Sequence, residues 1–215
     1  PIGRAVSMQL ALNGCFVVGL FPSAARSEAV AMNELTELGT LAHAFGIDPA
    51  GEAGAAEAAA EVERLFGRLD LLVNCLKYES ESPFQTIAES EFLDVLKKNI
   101  GAAGFLTRAV LDLMADRPKP KIVNVTTAFA DSGDPVFAAS QAAIISLTRS
   151  FATSLPSKFR VNAVAVRAPA ESEENEEDPL FRPQMKTASD DVARTILFLL
   201  SSESTLLNGE VVVLG

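Results

Sequence analysis

The stretch Phe66-Gly67-Arg68-Leu69-Asp70-Leu71-Leu72-Val73-Asn74, residues 66–74, decides the fold. It closes an Ala/Glu-rich helical segment, Ala53 to Phe66, at Gly67 and then enters Leu71 to Asn74 without alternation of polar and apolar residues. A strand of that kind is buried on both faces, which is the habit of parallel sheets covered by helices. The same alternation of helix and apolar run continues in both directions. Upstream, Ile2 to Asn13 is helical, with Ile2, Val6 and Leu10 on one stripe and Gly14 as the stop, followed by a strand from Cys15 to Leu20. Pro22 opens a helix to about Leu38, and Thr40 to Phe45 is the next strand. Downstream come a helix from about Glu89 to Met114, a strand Lys121 to Thr126, a helix Phe137 to Leu155, a strand Arg160 to Val166, a helix Asp190 to Leu200 and a strand Glu210 to Leu214. The expected fold is α/β: a doubly wound parallel sheet with helices on both faces, in three α/β/α layers. No linker, repeat or second composition appears, so residues 1–215 read as a single domain.

Hydrophobic residues make up 48% of the 215 and charged residues 21%, enough apolar material for a full core. Eighteen basic against 28 acidic residues give a net charge of −10, which argues against a nucleic-acid binder, since phosphate contacts need a basic face. Six of the negatives, Glu171, Glu173, Glu174, Glu176, Glu177 and Asp178, lie in one variable segment, residues 167–188. That segment reads as a solvated loop in preference to an altered lid over a site. Cys15 and Cys75 are too few for a disulfide framework, and with His43 as the lone histidine no Cys/His metal cluster can be assembled. A reducing, cytoplasmic setting fits these thiols, and no apolar stretch is long enough to span a bilayer.

Seven stretches, taken together, carry a family resemblance: Pro1 to Ala5, Phe66 to Asn74, Asn99 with Gly101 to Ala109, Ile122 to Thr127, Ser140 to Ala152, Arg160 to Val164, and Asn208 to Val211. In this order and spacing the chain resembles the short-chain dehydrogenase/reductase family over essentially its entire length, with a texture most similar to its 3-oxoacyl-carrier-protein-reductase members. The resemblance implies a Rossmann-type sheet, a nicotinamide cofactor, NAD or NADP, across the carboxyl ends of the strands, and hydride transfer between a carbonyl and an alcohol. It also implies a first strand at the centre of the sheet. The chain begins at Pro1 on what reads as the first turn of a helix, so about ten further residues are expected ahead of it, or another segment in the slot.

In that family a tyrosine exchanges a proton with the substrate oxygen, and a lysine one helical turn later favours the phenolate and holds the nicotinamide ribose. The corresponding positions here are Phe137, which has no proton to give, and Gln141, which has no charge. The serine that bonds the substrate oxygen corresponds to Thr127, and Asn99 matches the asparagine that holds a water in the proton relay. Among the cofactor positions, Gly3 survives from the glycine-rich turn, and Asp48 follows the third strand of the family order. Asn74 and Cys75 begin a motif whose glycine is replaced by Lys77, and Val166 with Arg167 stands where Pro-Gly accommodates the nicotinamide. The end of the second strand, Leu20 to Ser23, selects neither NAD nor NADP.

Asn99, Asn74 and Asp48 read equally well as caps or turn formers, and that reading is preferred. Cys75 reads as a small buried residue with no histidine near it in sequence, and His43 as a packed strand residue. Tyr78, the only tyrosine, follows Lys77, and this pair is a conceivable substitute for the lost dyad. Three functions stay open: a catalytically degenerate member acting as a partner or regulatory subunit, an active NAD(P)-dependent oxidoreductase, and a nucleotide-sensing module. The expected partner is a second copy, as dimer or tetramer, or an active relative, through the helices Glu89 to Met114 and Phe137 to Leu155. There, Gly101 to Gly104 permit close approach, and Phe105 and Phe151 supply anchors.

Overall fold

The computed structural model describes residues 2–21, 33, 36–37, 42–128, 134–167 and 189–215. The expected helix from Pro22 to about Leu38 lies almost wholly outside the described residues, as do residues 168–188 of the acidic segment. Helix α1 (Ile2–Leu12) leads to β1 (Val17–Leu20), which pairs in parallel with β2 (Ala42–Phe45). Helix α2 (Glu52–Phe66) precedes β3 (Leu71–Asn74). Next, α3 (Glu89–Leu96) runs through a π-helical turn, Lys97–Gly101, into α4 (Ala102–Ala115). Strand β4 (Lys121–Ala128), helix α5 (Pro135–Ser154), β5 (Arg160–Arg167), α6 (Ser189–Leu200) and β6 (Val211–Leu214) follow. Strands β3, β4, β5 and β6 form a parallel sheet in that order, and β1 with β2 forms a separate pair.

The unbroken apolar runs follow from burial on both sides. Val123 and Val125 of β4 and Val164 of β5 meet Val6 of α1 and Val192, Ile196 and Leu199 of α6. Their neighbours Ile122 and Val161, with Leu72 of β3, turn to the opposite face, against Ala58 of α2 and Leu106, Val110 and Met114 of α4. Each such side chain contributes about 1.5–3 kcal/mol when fully buried. The β1–β2 pair is tied in by Ala11 of α1 packed on Val17. Gly67 ends α2 in the left-handed region at φ 63°, its N–H donating to the Glu63 carbonyl at 2.8 Å.

Some boundaries differ from the sequence reading. Helix α5 starts at Pro135, not Phe137, because the Asp134 carboxylate caps it, accepting from the N–H groups of Val136 and Phe137 at 3.0 Å each. Strand β4 runs on to Ala128, two residues further than expected. The expected single helix from Glu89 is interrupted by the π turn. Gly101 lies at that turn, where a Cβ would stand 2.8 Å from the Ala50 carbonyl oxygen, and Ala102 and Ala103 are buried within the chain. A closer approach occurs at Gly54, where a Cβ would stand 1.9 Å from the Asp48 carbonyl oxygen. Gly54→Ala is therefore expected to destabilise the fold by about 1–3 kcal/mol through overpacking against backbone. A urea midpoint unchanged from wild type would contradict this packing.

Candidate functional site

The carboxyl ends of β3, β4 and β5 bring Asn74, Thr126, Thr127 and Val166 to one edge of the sheet, beside the first turns of α5. On the α5 side of the sheet the side chains are polar and buried, so their hydrogen bonds must be made internally. Asn74 Nδ2 donates to Asn124 Oδ1 at 2.8 Å, and Asn124 Nδ2 donates to Thr148 Oγ1 at 2.9 Å. Asn74, read as a cofactor or turn residue, thus stands in a row that ties β3 through β4 to α5.

Asn99 sits in the π turn and is 1% exposed. Its Nδ2 donates to the Tyr78 carbonyl at 2.7 Å and to Ser140 Oγ at 2.9 Å, and its Oδ1 accepts the Tyr78 N–H at 2.9 Å. Ser140 Oγ donates onward to the Phe137 carbonyl at 2.7 Å. Single π turns of this kind frequently mark functional sites in helices. Here the turn carries an amide that clamps the loop after β3 to α5.

Phe137 is fully buried in the first turn of α5. The ammonium of Lys77, at a position where the resemblance implies glycine, lies 5.3 Å from the centre of the Phe137 ring and 2.7 Å from Glu79 Oε1. One helical turn on, the Gln141 side chain is turned to β4. Its Oε1 accepts from Thr126 Oγ1 at 2.9 Å and from the Thr127 N–H at 3.0 Å, while its Nε2 is buried without a partner. Thr127 meets Gln141 through its backbone. Tyr78 engages a different element: the Lys98 ammonium lies 3.8 Å from the centre of its ring, and the Tyr78 contact holds Lys98 above its ordinary value. Lys77 and Tyr78 therefore part company, one toward α5 and the other toward the π turn, and no dyad forms at Phe137.

The remaining candidates separate. Gly3 and Cys75 are brought together, with the Gly3 N–H directed at the thiol, and burial pushes the Cys75 thiol up to about 11. Asp48 is exposed and accepts the Ala50 N–H at 2.9 Å, as a turn former does. Val166 packs on the α1–α6 core. His43 lies in β2, edge-on to Phe66 with ring centres 6.0 Å apart. Among the described residues, no three His, Cys, Asp or Glu side chains converge as metal ligands, and no helix is long and apolar enough to cross a membrane.

The sequence reading passed over Asp134 and Glu91. Asp134 Oδ2 accepts from Ser80 N–H at 2.9 Å and Ser80 Oγ at 2.5 Å, and Glu91 Oε1 accepts from the N–H groups of Glu81 and Ser82 at 2.7 and 2.9 Å. Burial works to raise the Asp134 carboxyl, but its bonds from Phe137, Ser80 and Val136 outweigh that and hold it below the usual range. The signal was present in Asp134-Pro135, an acid before a proline at a helix start.

A nicotinamide dinucleotide can be tested against these residues. Over Gly3 a Cβ would meet nothing within 4 Å, so backbone approach is open there. At the other end the fit fails. Lys77 covers Phe137 and Gln141 is committed to β4. The void lined by Asn74, Leu76, Asn99, Ala103, Val125 and Ile144 offers about 10 Å³, room for roughly one water. Neither the buried Phe137 ring nor the β4-bound Gln141 amide offers a titrating proton or a positive charge at these two positions.

The family model described as short chain dehydrogenase matches residues 1–176. The short-chain dehydrogenase/reductase FrzI of Cladobotryum sp is 28% identical over 171 residues, covering 77% of this chain and 64% of that protein. The 3-oxoacyl-acyl-carrier-protein reductase of Aquifex aeolicus is 27% identical, covering 98% of this chain and 90% of that protein. A crystal structure of a short chain dehydrogenase from Burkholderia cenocepacia in complex with NADP superposes with a TM-score of 0.86 at 24% identity, covering 99% of this chain and 91% of that one. That likeness shows the Rossmann-like fold.

Two outcomes are expected from the site's titrating groups. Cys75 has its folded value raised from 9.0 to about 11, so the stability it contributes is complete below pH 9 and lost as pH rises toward 11. Cys75→Ala should flatten that alkaline loss in thermal melts, and identical alkaline slopes would refute the burial. Asp134→Ala removes a helix cap and the Ser80 anchor, and should cost about 1–2 kcal/mol in a urea titration. An unchanged midpoint would contradict the capping role.

Proposed function

Taking as premise that this chain belongs to the short-chain dehydrogenase family, we propose that it keeps the family's fold without its hydride-transfer chemistry and acts as a partner or regulatory subunit. The observation that carries this reading is the fate of the catalytic pair's positions. Phe137 is buried under the Lys77 ammonium, and both hydrogen bonds to the Gln141 oxygen come from β4. A general acid must present a proton to substrate, and neither side chain does. The partner is a second copy or an active relative, met through the outer faces of α3, α4 and α5. Leu93 is 55% exposed there, and Phe105 and Phe151 are half-buried.

Two other readings have an observation in their favour. The names of the curated relatives favour an active NAD(P)-dependent reductase of 3-oxoacyl type. The open space over Gly3 favours a module that binds a nucleotide only to sense it.

Restoring the dyad separates these readings. Tyr and Lys at positions 137 and 141 would return a proton donor and its activating charge, together worth on the order of a hundred- to ten-thousand-fold in rate. Because Lys77 and Arg167 still stand at the family's glycine positions, the double variant Phe137→Tyr/Gln141→Lys is expected to stay inactive with NADH or NADPH and a ketone or 3-oxoacyl substrate. Turnover by the wild-type chain that disappears in Tyr78→Phe would overturn the proposal and favour the reductase.

A further inference from the structure

We propose that the amino-terminal edge of β4 and β5, at the opposite end of the sheet from the candidate site, is a docking surface for a carboxylate-rich peptide segment of a protein partner. Five cations meet there: Arg117 and Lys119 in the turn before β4, Lys158 in the turn before β5, and Lys121 and Arg160 at the first positions of the two strands. Lys121 and Arg160 are direct neighbours in the parallel register. Like charges placed opposite one another across strands destabilise a sheet.

Among the described residues, the acids nearest this edge, Asp70, Asp116 and Glu203, form no ion pair with these cations. Elsewhere Arg64, Arg68, Lys77, Lys98, Arg108 and Arg194 each pair with a carboxylate. Among the described residues, none of the five cations at the strand edge does so. Three of them donate to uncharged groups instead. Lys158 Nζ donates to the Ala115 carbonyl, and Lys121 Nζ to the Ser201 carbonyl and Ser204 Oγ. The Arg160 guanidinium reaches the carbonyls of Thr205, Ser157 and Phe159 at 2.7, 2.6 and 2.9 Å. Among the described residues the Nε of Arg117 is buried without a partner. Burial pushes the Lys121 ammonium down from its ordinary value, and Lys119 and Arg160 push it further. A protein with a net charge of −10 thus gathers five cations at one edge without a carboxylate partner among the described residues, and such departures from local consistency are expected where a surface has a function.

The donor chemistry selects the partner. Phosphate sites are commonly cups of outward-facing backbone N–H groups. Here the N–H groups of Arg117, Lys121, Phe159 and Arg160 all donate to carbonyls of the chain, and Pro118 and Pro120 have none. Apart from the N–H groups of the exposed turn residues Lys119, Ser157 and Lys158, what remains are separated point charges, exposed at Lys119 and Lys158, half-buried at Arg117 and Arg160, and buried at Lys121. Such separated charges suit spaced carboxylates.

The test uses the full chain and a fluorescent synthetic peptide with the sequence of residues 171–178, which carries six carboxylates. In anisotropy titrations at low salt the peptide should bind. Its affinity should fall on the order of tenfold in Lys119→Gln/Lys158→Gln and again as salt rises through about 0.15 M. Lys119→Gln alone removes one exposed charge and should weaken binding about threefold with the melting temperature unchanged or higher. This keeps the test decisive should the double variant fail to fold. Absence of binding, binding equal to that of an all-glutamine control peptide, or tighter binding of duplex DNA or polyphosphate than of the peptide would each overturn the proposal. The outcome is independent of whether the opposite end of the sheet binds a cofactor.

Discussion

A row of buried amides and hydroxyls on one face of the sheet has to find its hydrogen bonds inside the protein, and most of the candidate site is arranged by that requirement. Asn74, Asn124 and Thr148 tie β3, β4 and α5 together in one chain of contacts. Nearer the strand ends, Thr126 and the backbone of Thr127 reach α5 through Gln141. Asn99 closes the array by holding both the loop after β3 and Ser140. A partly satisfied array would cost more than an apolar core, so these side chains fix the approach of α5 to the sheet. Among the described residues, the Nε2 of Gln141 is the one buried side-chain atom of this array without a partner.

The same arrangement accommodates Phe137 and Gln141. A lysine at position 141 would bring an ammonium into this row, whereas glutamine lets the strand and the helix satisfy each other. Without a phenol at position 137 there is no hydroxyl to keep accessible, so the ring can be buried and the Lys77 ammonium can settle over it. The loop after β3 is then fastened from three sides: by Asn99 at Tyr78, by Asp134 at Ser80, and by Glu91 at Glu81 and Ser82. Phe137, Gln141 and Lys77 thus belong to one set of contacts that joins the loop after β3, β4 and α5.

Much of the fold was legible because burial on both faces writes itself into sequence. Leu71 to Val73 and Ile122 to Val125 are apolar on consecutive positions with few exceptions, and the helix stop at Gly67 matches its left-handed backbone. Polar contacts were less legible. Asn99 and Gln141 were identified by position, but their partners Tyr78, Ser140 and Thr126 come from other elements, and no spacing rule encodes those distances. The π turn was invisible for a related reason. It is set by the close approach of Gly101 to Ala50 and the inward amide of Asn99, while the apolar period of the segment reads as one continuous helix. The basic edge was hidden because Lys119, Lys121, Lys158 and Arg160 lie on two distant segments that only the β4–β5 register joins.

The proposed function implies that the carboxyl end of this sheet holds a nicotinamide dinucleotide only weakly. Calorimetric titration of the full wild-type chain with NADPH, run beside Lys77→Gly, tests it most directly. The account predicts a wild-type dissociation constant weaker than about 1 mM, corresponding to less than roughly 4 kcal/mol of binding free energy. It also predicts a measurable gain on removal of the lysine side chain. Micromolar binding by the wild type, unaffected by Lys77→Gly, would contradict it.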